Sequence, residues 1–371
     1  MRNWASIALA GALAAVGLYG TAHAADPIKV GVIANLTGQD VKTSLQMTRG
    51  VELAADDINA AGGINGAPIE LIIEDSEYRA QEALNAATKL YDVDKVEAAI
   101  MFGGSSLMIP VAQMAKDKGK VLVNTSSSSP KLGDFPGTLF SILPLDDIVS
   151  KGLGDMVADS GAKKAAIIVP NNAFGLGIAD AAQAAFEAKG GTVVERIAYT
   201  EGQPNYRADI QVLVGKDFDA IISGGYGDDS RTVFRTVREL GINAPWYASY
   251  PTILEVEDKD WMSGKLSGVD NGGFDQGVGK AVLEKYKAKY KDDDVLAHIY
   301  YGYDALMVLA EAMKKGGTDA ASIAKELPGV VATYDGATGK IVWDDRGQRI
   351  DPPLDIIVFK DGKFETTGSR N

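Results

Sequence analysis

The chain has 371 residues, of which 46% are hydrophobic, a formal net charge of −13 and no cysteine. A single hydrophobic core rarely grows to that length, so the sequence predicts two domains. The absence of cysteine excludes disulfides, thiolate nucleophiles and cysteine-ligated metal sites. The negative charge excludes nucleic acid as a partner, because a surface of that sign repels phosphates.

The N-terminal segment 1–24 has the organisation of a secretory signal peptide. Arg2 precedes an apolar run, and Ala22 and Ala24 form an A-x-A cleavage site. A membrane anchor is the alternative, but the apolar run is short for a span and lacks a stop-transfer flank. We therefore predict cleavage before Ala25 and a protein of the periplasm.

Strand and helix patterns then alternate along the chain. Continuous apolar runs are typical of buried parallel strands, and helical spacing ending in Gly-Gly is typical of a helix terminus. The predicted strands lie within 28–38, 68–75, 96–104 and 120–127, and the predicted helices within 50–63, 80–92 and 109–119. This alternation predicts a parallel sheet with helices on both faces.

The same order returns in the second third of the chain, with strands within 163–172 and 192–200 around a helix at 177–191. The pair Gly62-Gly63 is repeated 128 residues later, and so is Tyr78-Arg79-Ala80. These matches indicate two α/β lobes of similar topology, as duplication of one lobe would produce. Ordinary turn and helix-start chemistry is the alternative explanation.

In open parallel sheets, ligands bind at the loops that follow the carboxyl ends of the strands. If the two lobes face each other, these loops line one cleft. The predicted cleft loops are 35–44, 103–110 and 124–130 in the first lobe, and 171–177, 224–229 and 248–252 in the second.

The segment VLVNTSSSSP at 121–130 raises the question of a polar site, because a strand runs directly into four serines. A nearby loop carries Gly103-Gly104 and then Ser105-Ser106 before a helix. Glycines allow close approach of a ligand, and a helix N-terminus presents free N–H groups. The two loops predict a carboxylate site, whereas 121–130 alone would be read as a solvated turn with capping serines.

Several of these motifs resemble the leucine/isoleucine/valine-binding family of periplasmic substrate-binding proteins, which serve ABC importers. The most specific is INAAGGING at 58–66, which overlaps the longer match at 62–90. LTG at 36–38, FGLG at 174–177 and ATGKIVWDDRG at 337–347 also fit the family pattern. The resemblance covers nearly the whole chain after the signal peptide.

The resemblance implies an α/β fold of two Rossmann-like lobes with parallel sheets, joined by a three-segment hinge with the ligand cleft between them. It places lobe one at 25–145 plus 271–345 and lobe two at 146–270 plus 350–371. It also implies no catalysis, no cofactor and no metal. The implied partners are a small carboxylate ligand and a membrane permease, and we expect a monomer.

Family roles can be carried over to nine positions of this chain. Ser105, Ser106, Ser126 and Ser128 fall in the carboxylate-binding loops, with the Ser126 backbone amide as a donor. One of the remaining positions, Asp146, is an acid at the lobe crossing. Another, Thr43, is a wall position, and the aromatic set is Phe174, Tyr226 and Tyr250.

Tyr250 departs from the family pattern, because the amino-acid binders carry an ammonium-pairing glutamate near this position. A buried ammonium without a partner is costly by several kcal/mol. The departure favours an aromatic or branched organic acid, such as a keto acid. A branched-chain amino acid stays open if Asp146, Asp228 or Asp229 supplies the missing charge. For each aromatic residue, plain packing is the alternative.

Catalysis is the competing class of function. His298 is the only histidine after the signal peptide, so most nucleophile–base arrangements are excluded. The acidic run at 292–294 lacks the spacing of an EF-hand, and FGLGIA lacks the third glycine of a dinucleotide fingerprint. A ligand-sensing receptor module of the same fold is a third possibility. One predicted helix carries Tyr300, Tyr301 and Tyr303, and we interpret these side chains as packing residues outside the site.

Overall fold

The computed structural model describes residues 25–274 and 276–370, so the predicted signal peptide lies outside the described residues. The helices are Val41–Ala60 (α1), Ala80–Thr88 (α2), Ser105–Lys118 (α3), Asp146–Asp159 (α4), Ala173–Ala188 (α5), Arg207–Ile210 (α6), Gly227–Glu239 (α7), Lys259–Met262 (α8), Gly277–Tyr290 (α9), His298–Gly316 (α10) and Ala320–Val331 (α11). The strands are Ile28–Ala34 (β1), Ile69–Asp75 (β2), Ala98–Met101 (β3), Val121–Asn124 (β4), Leu139–Ser141 (β5), Lys164–Pro170 (β6), Thr192–Tyr199 (β7), Ala220–Ser223 (β8), Trp246–Ser249 (β9), Leu266–Asn271 (β10), Asp335–Gly336 (β11), Gly339–Lys340 (β12), Leu354–Lys360 (β13) and Lys363–Arg370 (β14).

The first sheet has the order β2-β1-β3-β4-β5, and all its strands are parallel. Because both faces are covered by helices, its strands are apolar without alternation. One face packs on α1, α10 and α11, and the other packs on α2 and α3. The later helices α9 to α11 therefore belong to the core of the first lobe.

The second sheet has the order β14-β13-β10-β9-β8-β6-β7. The strands from β6 to β10 are parallel, and β13 and β14 add an antiparallel edge. Helices α4 and α5 cover one face, and α6 and α7 cover the other. The predicted fold class, two Rossmann-like α/β lobes, is confirmed, and the second sheet is mixed at one edge.

Three chain segments connect the sheets: between β5 and β6, between β10 and α9, and between β12 and β13. Arg349 lies in the third segment and is only 2% exposed. Its guanidinium donates to the carbonyls of Ile142 at 2.9 Å and Thr338 at 2.7 Å, which ties two connections together. The exact lobe boundaries stay a prediction.

The sequence-based assignment places the starts of two helices too late in the chain. The first begins at Val41 rather than at Gly50, and α5 begins at Ala173 rather than at Gly177. Polar residues and glycines near the cleft hid the starts of both helices. Among the described residues, no helix is long and apolar enough to cross a membrane.

Candidate functional site

Two adjoining cavities lie between the lobes. The larger cavity has a volume of about 610 Å³ and is lined by residues that follow β1, β2, β3 and β4 in one lobe and β6, β7, β8 and β9 in the other. The smaller cavity, of about 250 Å³, extends toward the connecting segments. All six predicted cleft loops contribute lining residues. The two cavities share Ser126, Phe174, Thr252, Ile253, Leu296 and His298.

The first lobe presents the N-terminus of α3 to the larger cavity. Gly103, Gly104, Ser105 and Ser106 line the cavity there. The first turn of a helix leaves N–H groups without partners inside the helix. Gly104 at the N-cap supplies no side-chain hydrogen bond to them, so this terminus is open to a ligand acceptor.

The serine loop after β4 is held against this helix start. The Ser126 hydroxyl accepts from the Gly103 N–H at 2.8 Å and donates to the Gly103 carbonyl at 2.9 Å. The Ser127 hydroxyl donates to the same carbonyl at 2.6 Å. The Ser126 N–H, predicted as a ligand donor, already donates to Asn124 Oδ1 at 3.1 Å. The loop thus joins two strand ends into one polar wall.

The other wall residue of the first lobe is Thr43, at the start of α1. Its hydroxyl donates to Asp40 Oδ1 at 2.5 Å, so Thr43 positions a carboxylate that sequence reasoning missed. Asp40 is exposed to the cleft, and partial desolvation by the surrounding walls raises its pKa to about 6. Asp40 has left-handed backbone with φ 55°, which is uncommon for a non-glycine residue.

The second lobe presents an aromatic row to the cleft. The ring of Phe174 lies 5.7 Å from that of Tyr226 and 6.0 Å from that of Tyr250, as measured between centroids. Tyr78 of the first lobe continues the row, because its ring meets that of Tyr226 edge-on at 6.5 Å. These rings offer apolar faces to a ligand.

Glu201, which follows β7, is the acid of this wall. Its Oε1 accepts from the Tyr226 hydroxyl at 2.5 Å, and its Oε2 accepts from Asn172 Nδ2 at 2.7 Å. Each carboxylate oxygen can accept more than one hydrogen bond, so Glu201 keeps capacity for a ligand donor. The sequence offered no strong signal for this residue, since Glu201 stands alone in a polar loop.

Helix α5 begins in the same wall, but its N-terminus is already occupied. Asn172 is its N-cap, and Asn172 Oδ1 accepts from the Gly175 N–H at 2.9 Å. The N–H of Ala173 donates across the cleft to the Ser106 hydroxyl at 3.3 Å. This contact and the Tyr78–Tyr226 ring pair bring the two walls together.

Asp146 lies at the lobe crossing, beneath the cavities rather than in their lining. It is fully buried, and this burial raises the pKa of its carboxyl well above the usual range. The Tyr250 hydroxyl donates to Asp146 Oδ1 at 3.1 Å. Ser128 Oγ lies near this pair but makes no hydrogen bond of normal geometry. Asp146 therefore supports Tyr250, which lines the smaller cavity, from behind.

The structure brings most of the predicted site residues together. The larger cavity is lined by Thr43, Ser105, Ser106, Ser126, Phe174 and Tyr226, and the smaller one by Ser126, Ser128, Phe174 and Tyr250. Sequence reasoning missed lining residues that lie alone in polar loops or in segments assigned to packing: Asp40, Tyr78, Asn172, Glu201, Asn271, His298 and Tyr301.

A third cavity, of about 510 Å³, lies on the outer side of α7. Its three arginines are already paired with acids: Arg231 with Glu255, Arg235 with Glu257 at 3.1 Å, and Arg238 with Asp258. Because these charges are neutralised, this cavity is a weaker candidate than the cleft. Within the described residues, no group of three or more histidine, aspartate or glutamate side chains is placed to hold a metal ion.

The cleft between two α/β lobes defines a ligand-binding protein, and comparison with known proteins agrees. Residues 27–363 match the periplasmic binding protein family. The chain therefore belongs to this family, and the resemblance predicted from the sequence motifs is confirmed.

Individual relatives are distant but cover nearly the full length. The chain is 28% identical over 337 residues to an amino acid binding protein from Pseudomonas aeruginosa, covering 88% of each chain. Two solved structures share the fold. A branched-chain amino acid transporter substrate binding protein from Streptococcus pneumoniae, in complex with isoleucine, has a TM-score of 0.81 and 24% identity, covering 93% of this chain and 99% of the other. A solute binding protein from R. palustris in complex with benzoate has a TM-score of 0.79 and 18% identity, covering 92% and 96%.

Proposed function

We propose that this protein is the substrate-binding component of an ABC importer in the periplasm. It captures a small carboxylate-bearing solute by closure of its lobes and presents it to a membrane permease, without chemical turnover. The observation that carries this proposal is the open N-terminus of α3 beside the serine loop. Hydrogen-bond donors of this kind bind a carboxylate where a helix dipole also favours negative charge.

The carboxylate would be held by neutral donors rather than by a cation. Among the described residues that line the larger cavity, Lys42 is the only lysine or arginine, and it pairs with Asp294. Ser105 and Ser106 therefore supply the binding energy, together with the backbone N–H groups of the first turn of α3. Hydrogen bonds to a charged group contribute about 1.5–3 kcal/mol each.

For the remainder of the ligand, the favoured candidate is an aromatic or branched organic acid without an obligatory amino group. Tyr250 stands at the position of the expected ammonium-binding acid, and Asp146 is buried behind it. Phe174 and Tyr226 add aromatic surface. The benzoate bound by the R. palustris neighbour is a ligand of this class.

An apolar α-amino acid is the second candidate, and Glu201 favours it. Its carboxylate lies in the wall opposite the serine loop and keeps acceptor capacity, so it could pair with an ammonium group. Asp40 adds a second acid to the same cavity. The amino acid binding protein of P. aeruginosa and the isoleucine complex of S. pneumoniae support this alternative.

Calorimetry can separate these candidates with protein stripped of bound ligand. Leucine, 4-methyl-2-oxopentanoate and benzoate would be titrated into the wild type, Glu201→Gln and a control, Glu195→Gln. Glu195 lies on β7 and pairs with Lys216, away from both cavities. An organic-acid site binds an acid more tightly than leucine and keeps or improves that affinity in Glu201→Gln.

An amino-acid site gives the opposite result, with leucine binding lost in Glu201→Gln and kept in the control. If none of the three compounds binds, the carboxylate proposal is wrong. Chemical conversion of a bound compound would contradict the binding function itself. Small-angle scattering should also show a smaller radius of gyration when the tightest ligand is added.

A further inference from the structure

The smaller cavity has its own polar character. It is lined by both lobes and by two of the connecting segments, and it includes Asp270, Asn271 and Asp355. Asp270 is satisfied, because Thr252 donates to its Oδ2 from the hydroxyl at 2.5 Å and from the backbone N–H at 3.2 Å. No lysine or arginine of the described chain lines this cavity, so an anionic group would be poorly accommodated there.

Three residues that line the smaller cavity carry a buried polar atom without a hydrogen-bond partner. These atoms are Ser128 Oγ, Asn271 Oδ1 and His298 Nδ1. Ser128 is 1% exposed, so water outside the protein does not compensate for the missing bond. Buried polar groups are normally hydrogen-bonded, and leaving one unpaired costs about 1–3 kcal/mol. Ser128 Oγ also lies beside Asp146 and Tyr250, so Asn271 Oδ1 and His298 Nδ1 are the atoms that most favour a polar ligand group in this cavity.

His298 is placed where the two cavities meet. Its ring contacts those of Phe102 and Tyr301 edge-on, at centroid distances of 5.3 Å and 5.8 Å. Burial lowers the pKa of His298 to about 4. The imidazole is therefore neutral near pH 7, with one nitrogen that donates and one that accepts a hydrogen bond.

We propose that the smaller cavity is a second subsite, which takes a neutral hydrogen-bonding group at the end of the ligand away from the carboxylate. This inference rests on the proposed function, because the N-terminus of α3 must hold the carboxylate in the larger cavity. The Asn271 carbonyl requires a donor, whereas His298 and Ser128 can each donate or accept. A ligand hydroxyl group can both donate to and accept from these side chains. A ligand amino group can donate to those that accept.

Water is the competing occupant, since a cavity of about 250 Å³ can hold several molecules. Ordered water would satisfy the three atoms in the ligand complex as well as in the free protein. In that case, a hydroxyl group on the ligand would give no advantage. Ligand pairs that differ by one polar group therefore distinguish the two occupants.

The experiment compares benzoate with 4-hydroxybenzoate and 4-aminobenzoate, and phenylalanine with tyrosine, by calorimetry. The wild type should favour a hydroxylated member over its parent by roughly tenfold, the expected gain from one buried hydrogen bond. His298→Phe and Asn271→Leu should each remove most of this preference, and His298→Gln should retain part of it. The control is Tyr91→Phe, because the Tyr91 hydroxyl is also buried and unpartnered but lines neither cavity.

A preference for 4-aminobenzoate over both other benzoates would assign an amine to the subsite rather than a hydroxyl. Equal affinities within both series overturn the subsite but leave the carboxylate proposal intact. A preference that survives in both His298→Phe and Asn271→Leu also overturns it. If no compound of the panel binds, the proposed carboxylate site fails and the subsite fails with it.

Discussion

The two walls of the cleft use the same element, the N-terminus of a helix after a strand, in opposite ways. In the first lobe, α3 begins at glycines and serines and has no side-chain cap. In the second lobe, α5 is capped by Asn172, and α7 carries Asp228 and Asp229 in its first turn. The second-lobe helices thus begin with a capping side chain or with acids, whereas the first turn of α3 carries neither.

This difference assigns an orientation to the ligand. Negative charge is stabilised at an open helix N-terminus and is repelled by an acid already present there. Glu201 strengthens the contrast, since it adds a carboxylate to the wall of the second lobe. Under the proposed function, we therefore expect the carboxylate end of a ligand at the first lobe and its apolar body against Phe174 and Tyr226.

The largest expected effect comes from placing an acid in the first turn of α3, as in α7. Ser106 is exposed in the cleft at the second position of α3, so Ser106→Asp places a carboxylate there without disturbing the core. Two like charges about 4 Å apart repel by about 4 kcal/mol at a surface-like dielectric. We expect at least about a hundredfold loss of affinity for a carboxylate ligand, measured by calorimetry.

The matched control is Ser106→Asn, which adds a similar volume without charge and should cost far less. The thermal stability of Ser106→Asp should be unchanged or slightly raised, because an acid in the first turn of a helix is favourable. Unchanged ligand affinity in Ser106→Asp would mean that the carboxylate does not bind at this helix.

Removing a single hydroxyl from the same wall should have a smaller effect. Ser105→Ala deletes a buried side chain that lines the larger cavity and accepts from the Ser129 N–H at 3.2 Å. Loss of a hydrogen bond to a carboxylate should weaken binding roughly tenfold. Ser160→Ala in the second lobe, outside both cavities, should leave the affinity unchanged. An equal affinity in both variants would mean that the Ser105 hydroxyl does not bind the carboxylate.

The capped helix of the second lobe can be tested by removing its cap. Asn172→Ala deletes the bond to the Gly175 N–H, and N-cap losses typically lower the free energy of unfolding by about 1 kcal/mol. Asn172→Ser keeps an oxygen acceptor without placing a second carboxylate against Glu201, and it should stay near the wild type. Urea denaturation gives the comparison, and equal stability of the two variants would show that α5 does not depend on this cap.

The smallest expected effect concerns pH and Asp40. Desolvation in the cleft raises the pKa of Asp40 to about 6, so its carboxyl is mostly neutral below that pH and mostly charged above it. An anionic ligand is repelled by the charged form, and its affinity should fall roughly threefold as pH rises from 5 to 7.5, since charges partly exposed to solvent are screened. In Asp40→Asn this dependence should disappear. Affinity that rises with pH in the wild type would contradict this assignment.

The sequence by itself determined the fold class and the place of the cleft. Alternating apolar strands and helices require a helix-covered parallel sheet, and the loops after such strands must meet at one edge. That reasoning led to Ser105, Ser106 and Ser126 because their loops follow strands directly. The resemblance to the family then supplied the two-lobe arrangement, which local patterns cannot provide.

Tertiary structure alone decided which polar residues face the ligand. Glu201 and His298 lie outside the predicted cleft loops and reach the cleft only through the packing of distant segments. Asp146 was predicted near the ligand, but it lies behind Tyr250, where burial raises its pKa and leaves it without access to either cavity. Charge and hydrogen-bonding capacity can be read from residue types, whereas burial depends on neighbours far away in the chain, and burial decides whether a polar group binds a ligand or supports the fold.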